Sequence, residues 1–264
     1  MKIEVLISTM NQVNYDLLES MRIDSGCVVV NQCGEDSVVE FSCRGYPVKW
    51  INSSEIGLSR SRNLAIKNSS ADICVLADDD LVYVNGYSAR ILSEFDKMPS
   101  ADVLAFRVDG IGRIFKKYPK VTKKLNFISS MKVSSVQIAF KRNRFIDKGI
   151  FFREEFGAGS IFYAGEESVL LSDCQRIGFE MYFVPEKVAD LHLGDSTWFE
   201  GFNERYFITK GANFTAMSKP LAVLLIVQFA FRKRSLYQHQ ATLVQALKNM
   251  LRGRKIYLSG NYNF

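Results

Sequence analysis

The sequence predicts an α/β fold built on a mostly parallel, doubly wound central sheet flanked by helices, with a basic, mostly helical C-terminal extension. Three observations carry that expectation. Short apolar runs at residues 2–8, 27–31, 48–51 and 73–77 read as buried strands, helical periodicity separates them, and the charge changes character after Glu204. Strand and helix alternating over the first hundred residues place a ligand crevice outside the carboxyl ends of the strands.

In chain order, residues 15–21 and 59–67 space apolar side chains three or four apart, with Asn14 and Ser59 placed where N-caps are expected. Residues 86–96 repeat the helical pattern. A strand at 102–108, a basic linker and an alternating stretch at 134–140 come next. Residues 166–176 read as a helix stopped by Gly178, and residues 180–184 as a strand stopped by Pro185. Residues 1–204 are expected to form one domain in two halves, 1–100 and 101–204, and residues 205–264 the extension.

Composition narrows the class. With 264 residues and 47% hydrophobic content, the chain can bury a substantial core, so disorder is not the default. Five scattered cysteines without a C-x-x-C pair point to neither a disulfide framework nor a zinc site, and a reducing cytosol fits them. The first residues lack a secretory signature. Ten of the 34 Lys and Arg lie in residues 205–264, which contain no acid, so residues 1–204 hold 24 bases against all 28 acids. The body is mildly acidic, and the tail faces something anionic.

The chemistry concentrates where the apolar run Ile73-Cys74-Val75-Leu76-Ala77 ends in Asp78-Asp79-Asp80. Adjacent carboxylates at the mouth of a sheet repel one another, and a divalent cation is the usual relief. Side chains two apart in an extended segment share a face, so Asp78 and Asp80 converge from about 6.6 Å of backbone. All-oxygen ligands favour Mg²⁺ or Mn²⁺, with diphosphate oxygens completing the shell. The plain alternative is a solvated acidic turn in which Asp80 caps the next helix.

Together with Ser8, Thr9 and Asn11 after the first strand, the run from Gly57 through Arg60 and Arg62 to Asn63, Gly165-Glu166-Glu167 with Gly178 and Pro185 behind it, and His192, this cluster resembles the family 2 glycosyltransferases, which have the nucleotide-sugar fold called GT-A. The resemblance covers residues 3 to about 192. It implies that Thr9 lies near base and ribose, that Asn31 and Gln32 stand where many relatives have an acidic pair, and that Asp78 and Asp79 face the nucleotide. Arg60 and Arg62 open a helix, where dipole and guanidinium fork suit a diphosphate, although only one of the two need face it; otherwise they solvate the helix surface. Relatives usually end the Gly165 motif in Glu-Asp, so the general base falls on Glu167, with Glu166 its rival. His192 implies a third metal contact beside Asp78 and Asp80, against a structural role. Trp198 and Tyr206 are placed to stack on an acceptor sugar or to sit in the core.

The implied reaction is inverting transfer from a nucleotide-diphosphate sugar, UDP-linked by resemblance, to a glycan or lipid-linked saccharide acceptor in capsule or other surface-polysaccharide assembly. Residues 220–231 form an apolar run of about twelve, short of the ~20 a spanning helix needs. Closed by Arg232-Lys233-Arg234, it reads as an interfacial segment, which would place the protein on the inner face of the cytoplasmic membrane. A core helix is the alternative, and a homo-oligomer is left open. The rivals are a Mg²⁺-dependent phosphatase or nucleotidyltransferase built on the acidic cluster, an inactive nucleotide-sugar binder, and a nucleic-acid binder using the tail and the basic linker. No nucleic-acid module accompanies either basic stretch, so no nucleic-acid partner is expected.

Overall fold

The computed structural model describes residues 1–194 and 199–262. The strands are β1 (Ile3–Met10), β2 (Gly26–Gln32), β3 (Ser37–Cys43), β4 (Tyr46–Ser53), β5 (Ile73–Asp78), β6 (Leu81–Tyr83), β7 (Val103–Gly110), β8 (Lys123–Lys124), β9 (Ile138–Lys141) and β10 (Met181–Leu191). They form one sheet in the order β3-β4-β2-β1-β5-β9-β7-β10-β6, with β8 also on β10. The helices are α1 (Asp16–Ser20), α2 (Leu58–Asn68), α3 (Tyr87–Lys97), α4 (Phe127–Ser130), α5 (Arg142–Asp147), α6 (Glu166–Arg176), α7 (Glu204–Met217), α8 (Ala222–Arg232), α9 (Arg234–Tyr237) and α10 (Leu243–Ser259). This is the expected central sheet flanked by helices.

The parallel core β4-β2-β1-β5 comes from the apolar runs, because strands covered on both faces need apolar side chains throughout. One face packs on α1 and α3 through Leu17, Leu18, Tyr87, Ile91 and Phe95, the other on α2, α5 and α6 through Ala65, Ile66, Phe145, Leu170 and Leu171. β9 inserts antiparallel between β5 and β7. The alternating stretch at 134–140 thus supplies only this short strand, after a 3₁₀ turn over Ser135–Gln137.

Four local expectations are corrected. β10 runs through Pro185 instead of stopping there: β8 pairs with Tyr182 and Phe183 and β6 with residues 189–191, so no neighbour needs the missing N–H, and a bulge between Phe183 and Lys187 absorbs the ring. Ser59 is not a cap. α2 starts after Gly57 at φ 139°, and the Ser59 hydroxyl donates to Phe156 O. Asn14 accepts from Asp16 N–H at 3.1 Å but lies one residue outside the cap, Tyr15. Asp80 leads directly into strand β6, so it has no helix to cap.

α7 to α10 share a third core with Phe156, Phe162 and Val169. α7 contains Thr209, Gly211, Asn213 and Thr215, poor helix formers costing up to about 1 kcal/mol each. Burial of Phe207, Ile208, Phe214 and Met217, about 1.5–3 kcal/mol each, outweighs that. α7 and α10 meet backbone to backbone: a Cβ on Gly211 would lie 1.8 Å from Met250 O, and one on Gly253 2.0 Å from Ile208 O.

Candidate active site

β5 delivers Asp78 beside Ser8, its register partner on β1. Asp79 accepts from the Thr9 hydroxyl at 2.6 Å, and Thr9 accepts in turn from Gln12 Nε2 at 2.9 Å. The β6–β10 pairing continues past Leu81 and Leu191, so His192 N–H donates to Asp80 O at 2.9 Å and a histidine distant in sequence joins the acids. From the other side α6 brings Glu166 and Glu167, started by Gly165 at φ 88° and held by Asn213 Nδ2 donating to Gly165 O at 2.8 Å. All these acids and His192 line one cleft of about 720 Å³.

Arg62 joins its two halves. Its guanidinium, 1% exposed, donates to Asp78 Oδ1 and to Glu166 Oε1, each at 2.8 Å, and stacks over Phe152. Burial works against its charge, but Asp78 and Glu166 outweigh burial and hold its pKa above the usual value. Glu166 is thereby ion-paired. Glu167 is not: burial first, then the charge of Glu166, push its pKa up to about 7 against the pull of Arg62 and Lys210. Asp80 is raised to about 6 by burial and by Asp78 and Asp79.

Asp80 tests the fit of a divalent cation. Asp78 is met by Arg62 and Asp79 by Thr9, whereas the Asp80 carboxylate has two like charges and, among the described residues, no salt-bridge partner. Among the described residues no group of three His, Cys, Asp or Glu side chains is arranged to hold a metal. The donors fit an ion that takes one or two carboxylates and completes its shell with phosphate oxygens and water, as Mg²⁺ does.

The remaining expected residues divide. Asn31, 1% exposed, is spent on the protein, bonding Gln12 N and O and Asn52, and Gln32 accepts from Gly57 N–H. Asn11, at φ 53°, and Asn31 do line a separate hollow of about 610 Å³ with Tyr15, Trp50 and Asn52. Ser8 bonds Ser61, and Asn63 clamps the backbone of Phe152. Arg60 lies outside the cleft, half-exposed and paired with Glu154, because helical phase turns it away from Arg62. Tyr206 is engaged edge-on with Phe199, Phe202 and Phe207, and Trp198 lies outside the described residues.

The sequence reading missed Lys210, on α7. It lines the cleft facing Glu167 and Glu166, with its pKa lowered by burial. Lys116, lowered to about 8 by burial while Glu167 opposes the shift, was missed too. Lys210 is a single charge within the helical stretch 206–217 and Lys116 one of several lysines in the basic linker, so neither position stood out.

An acid-lined cleft thus lies at the carboxyl ends of the strands of a mixed α/β sheet, the place where such sheets bind ligands. The family model for glycosyl transferase family 2 matches residues 16–164, and the chain belongs to that family. The match takes in Arg62 and Asp78 to Asp80 and ends before Glu166. No curated protein matches the chain. Among solved structures, S. aureus TarS 1-349 in complex with UDP is similar, with TM-score 0.65 and 14% identity over 96% of this chain and 81% of that one. The same protein in complex with UDP-GlcNAc gives TM-score 0.64 and 12% identity over 98% and 92%. At such identity the likeness is one of fold.

Proposed function

We propose that the chain is an inverting, metal-dependent glycosyltransferase that moves a sugar from a UDP-linked donor to a hydroxyl of a glycan or lipid-linked saccharide in surface-polysaccharide assembly. The observation that carries it is Glu167, a carboxylate poised at about 7 in the same cleft as Asp78 to Asp80. UDP and UDP-GlcNAc in the similar TarS structures support the uridine donor. The polar chain from Asp79 through Thr9 and Gln12 to Asn31 leads from the acids to the Trp50 hollow, and supports a nucleotide laid with its base there.

Glu167 takes the proton of the acceptor hydroxyl as that oxygen attacks the anomeric carbon. The bond to the diphosphate breaks, and the sugar inverts. Asp80 with Asp78 would hold Mn²⁺ or Mg²⁺, with His192 lining the same cleft, and the ion would supply charge stabilisation for the departing diphosphate. Arg62 holds Asp78 in place through their ion pair.

The test is a thermal-shift panel of nucleotide sugars with and without Mn²⁺. A UDP-sugar is expected to raise the melting temperature only when metal is present, and Asp80→Ala to abolish that response. Normal metal-dependent binding and turnover by Asp80→Ala would overturn the assignment.

Peripheral membrane attachment is part of the same reading. Among the described residues no helix is long and apolar enough to cross a membrane. α8 buries Ala222, Leu225, Ile226 and Ala230 but exposes Val223, Leu224, Val227 and Phe231, with Lys219, Arg232, Lys233 and Arg234 around them. An apolar face ringed by cations suits an anionic lipid surface. The chain is expected to co-sediment with phosphatidylglycerol-containing vesicles, and Leu224→Glu/Phe231→Glu to lose about a hundredfold or more in partitioning, in line with two buried side chains at about 1.5–3 kcal/mol each. Equal partitioning of both proteins would remove α8 from the membrane.

A further inference from the structure

A second cavity of about 820 Å³ adjoins the cleft. The two share Met131, Ser134 and Glu167, but the second takes in neither Arg62, Asp78 to Asp80 nor His192. An acceptor hydroxyl must reach Glu167 while the rest of the molecule stays clear of the donor, and this cavity offers such a route. The rings of Tyr118 and Phe183, stacked at 5.5 Å, contribute apolar surface on which a sugar face can lie.

Its charge is one-sided. Lys116, Lys117, Lys123, Lys124 and Lys132 line it, within a stretch, residues 110–140, that holds seven basic residues, Arg113 among them, and no acid. Lys124 is paired with Glu180 at 2.7 Å. Among the described residues the other four form no salt bridge. The Lys116 ammonium donates to Ser134 Oγ, Lys132 O and Gln137 Oε1, all neutral acceptors that leave its charge uncancelled. Like charges gathered around a concave surface raise the local potential and cost stability, a cost that an anion entering the cavity offsets.

We propose that this cavity is the acceptor subsite and that it selects an anionic saccharide, one carrying phosphate or carboxylate groups beside the accepting hydroxyl; the proposal rests on the glycosyl-transfer reading above. The basic linker thereby acquires a role that needs no nucleic acid. Lys117, Lys123 and Lys132, exposed at the cavity wall, set the preference, and Lys116 holds the charge closest to the reacting hydroxyl.

The test measures binding of three oligomers of matched length to the full chain, with Mn²⁺ and UDP-GlcNAc present: a glycerol-phosphate oligomer, an oligogalacturonate and a neutral malto-oligosaccharide. At least one charged oligomer is expected to bind about tenfold tighter than the neutral one, and the better of the two identifies phosphate or carboxylate. Lys117→Gln/Lys123→Gln is expected to remove about tenfold of that affinity, whereas Lys248→Gln/Lys255→Gln on α10 leaves it unchanged. Equal binding of charged and neutral oligomers, binding of none, or an equal loss in the α10 variant overturns the subsite. The donor-induced thermal shift, read on the same samples, separates the two ideas. If it persists without any anionic preference, only the subsite fails; if it is absent for every nucleotide sugar, the transfer reading fails.

Discussion

Glu167→Gln is expected to lower kcat by about 10²–10⁴ while keeping the donor-induced thermal shift, because it removes the proton acceptor and little volume. In the parent the acid limb of kcat/KM should reach its plateau only above about pH 7, since the proton acceptor is the ionised form and burial beside Glu166 delays ionisation to there. Stability should show the same group with the opposite slope. An unfolded glutamate releases its proton near its ordinary value, 4.5, whereas folded Glu167 keeps it to about 7. Between those pH values the folded chain binds the extra proton, so this contribution is present below the window and is lost as pH rises through it. Glu167→Gln, which cannot ionise, should therefore melt higher than the parent above pH 7 while being inactive. A variant that is both active and unchanged in its pH profile would exclude Glu167 as the base.

Arg62→Met is expected to cost about 3–5 kcal/mol in urea unfolding and to remove the donor response. The substitution preserves much of the apolar stem over Phe152 but withdraws the cation from Glu166, whose side chain is 8% exposed, and from the more open Asp78. Breaking a buried pair from one side leaves an uncompensated charge, which is why the loss exceeds the fraction of a kcal/mol typical of exposed bridges. Arg60→Met, which breaks only the half-exposed contact to Glu154, should lie within about 0.5 kcal/mol of the parent. Comparable unfolding free energies for the two variants would refute the keystone role of Arg62.

The central strands were legible because each is a run of apolar residues, a pattern that depends only on burial of both faces. β3 was not: it is an edge strand whose Val38 and Val39 are exposed, so no face of it repeats a hydrophobic signal. Asp78 to Asp80 were legible for a local reason, three acids after an apolar run. Choosing between Arg60 and Arg62 depended on where α2 begins, which Gly57 fixes and Ser59 obscured. Lys116 and Lys210 reach Glu167 through the fold, from a loop and from α7, and no spacing in the chain encodes such a meeting. Asn31 and Gln32 stand where base-binding groups were expected, but their amides tie strand ends together, a use indistinguishable in sequence from ligand binding.

The contact between Gly211 and Gly253 bears on the tuning of the general base. A joint made of two backbones has no side chains to reshuffle, so it fixes α7 in both axial position and rotation. Lys210 immediately precedes that joint, and Asn213, the amide that grips Gly165, lies within a turn of it. The proton affinity of Glu167 is thus calibrated from the carboxyl-terminal end of the chain: drift on the outer face of α10 is silent, whereas the addition of one methyl group at either glycine shifts the calibration.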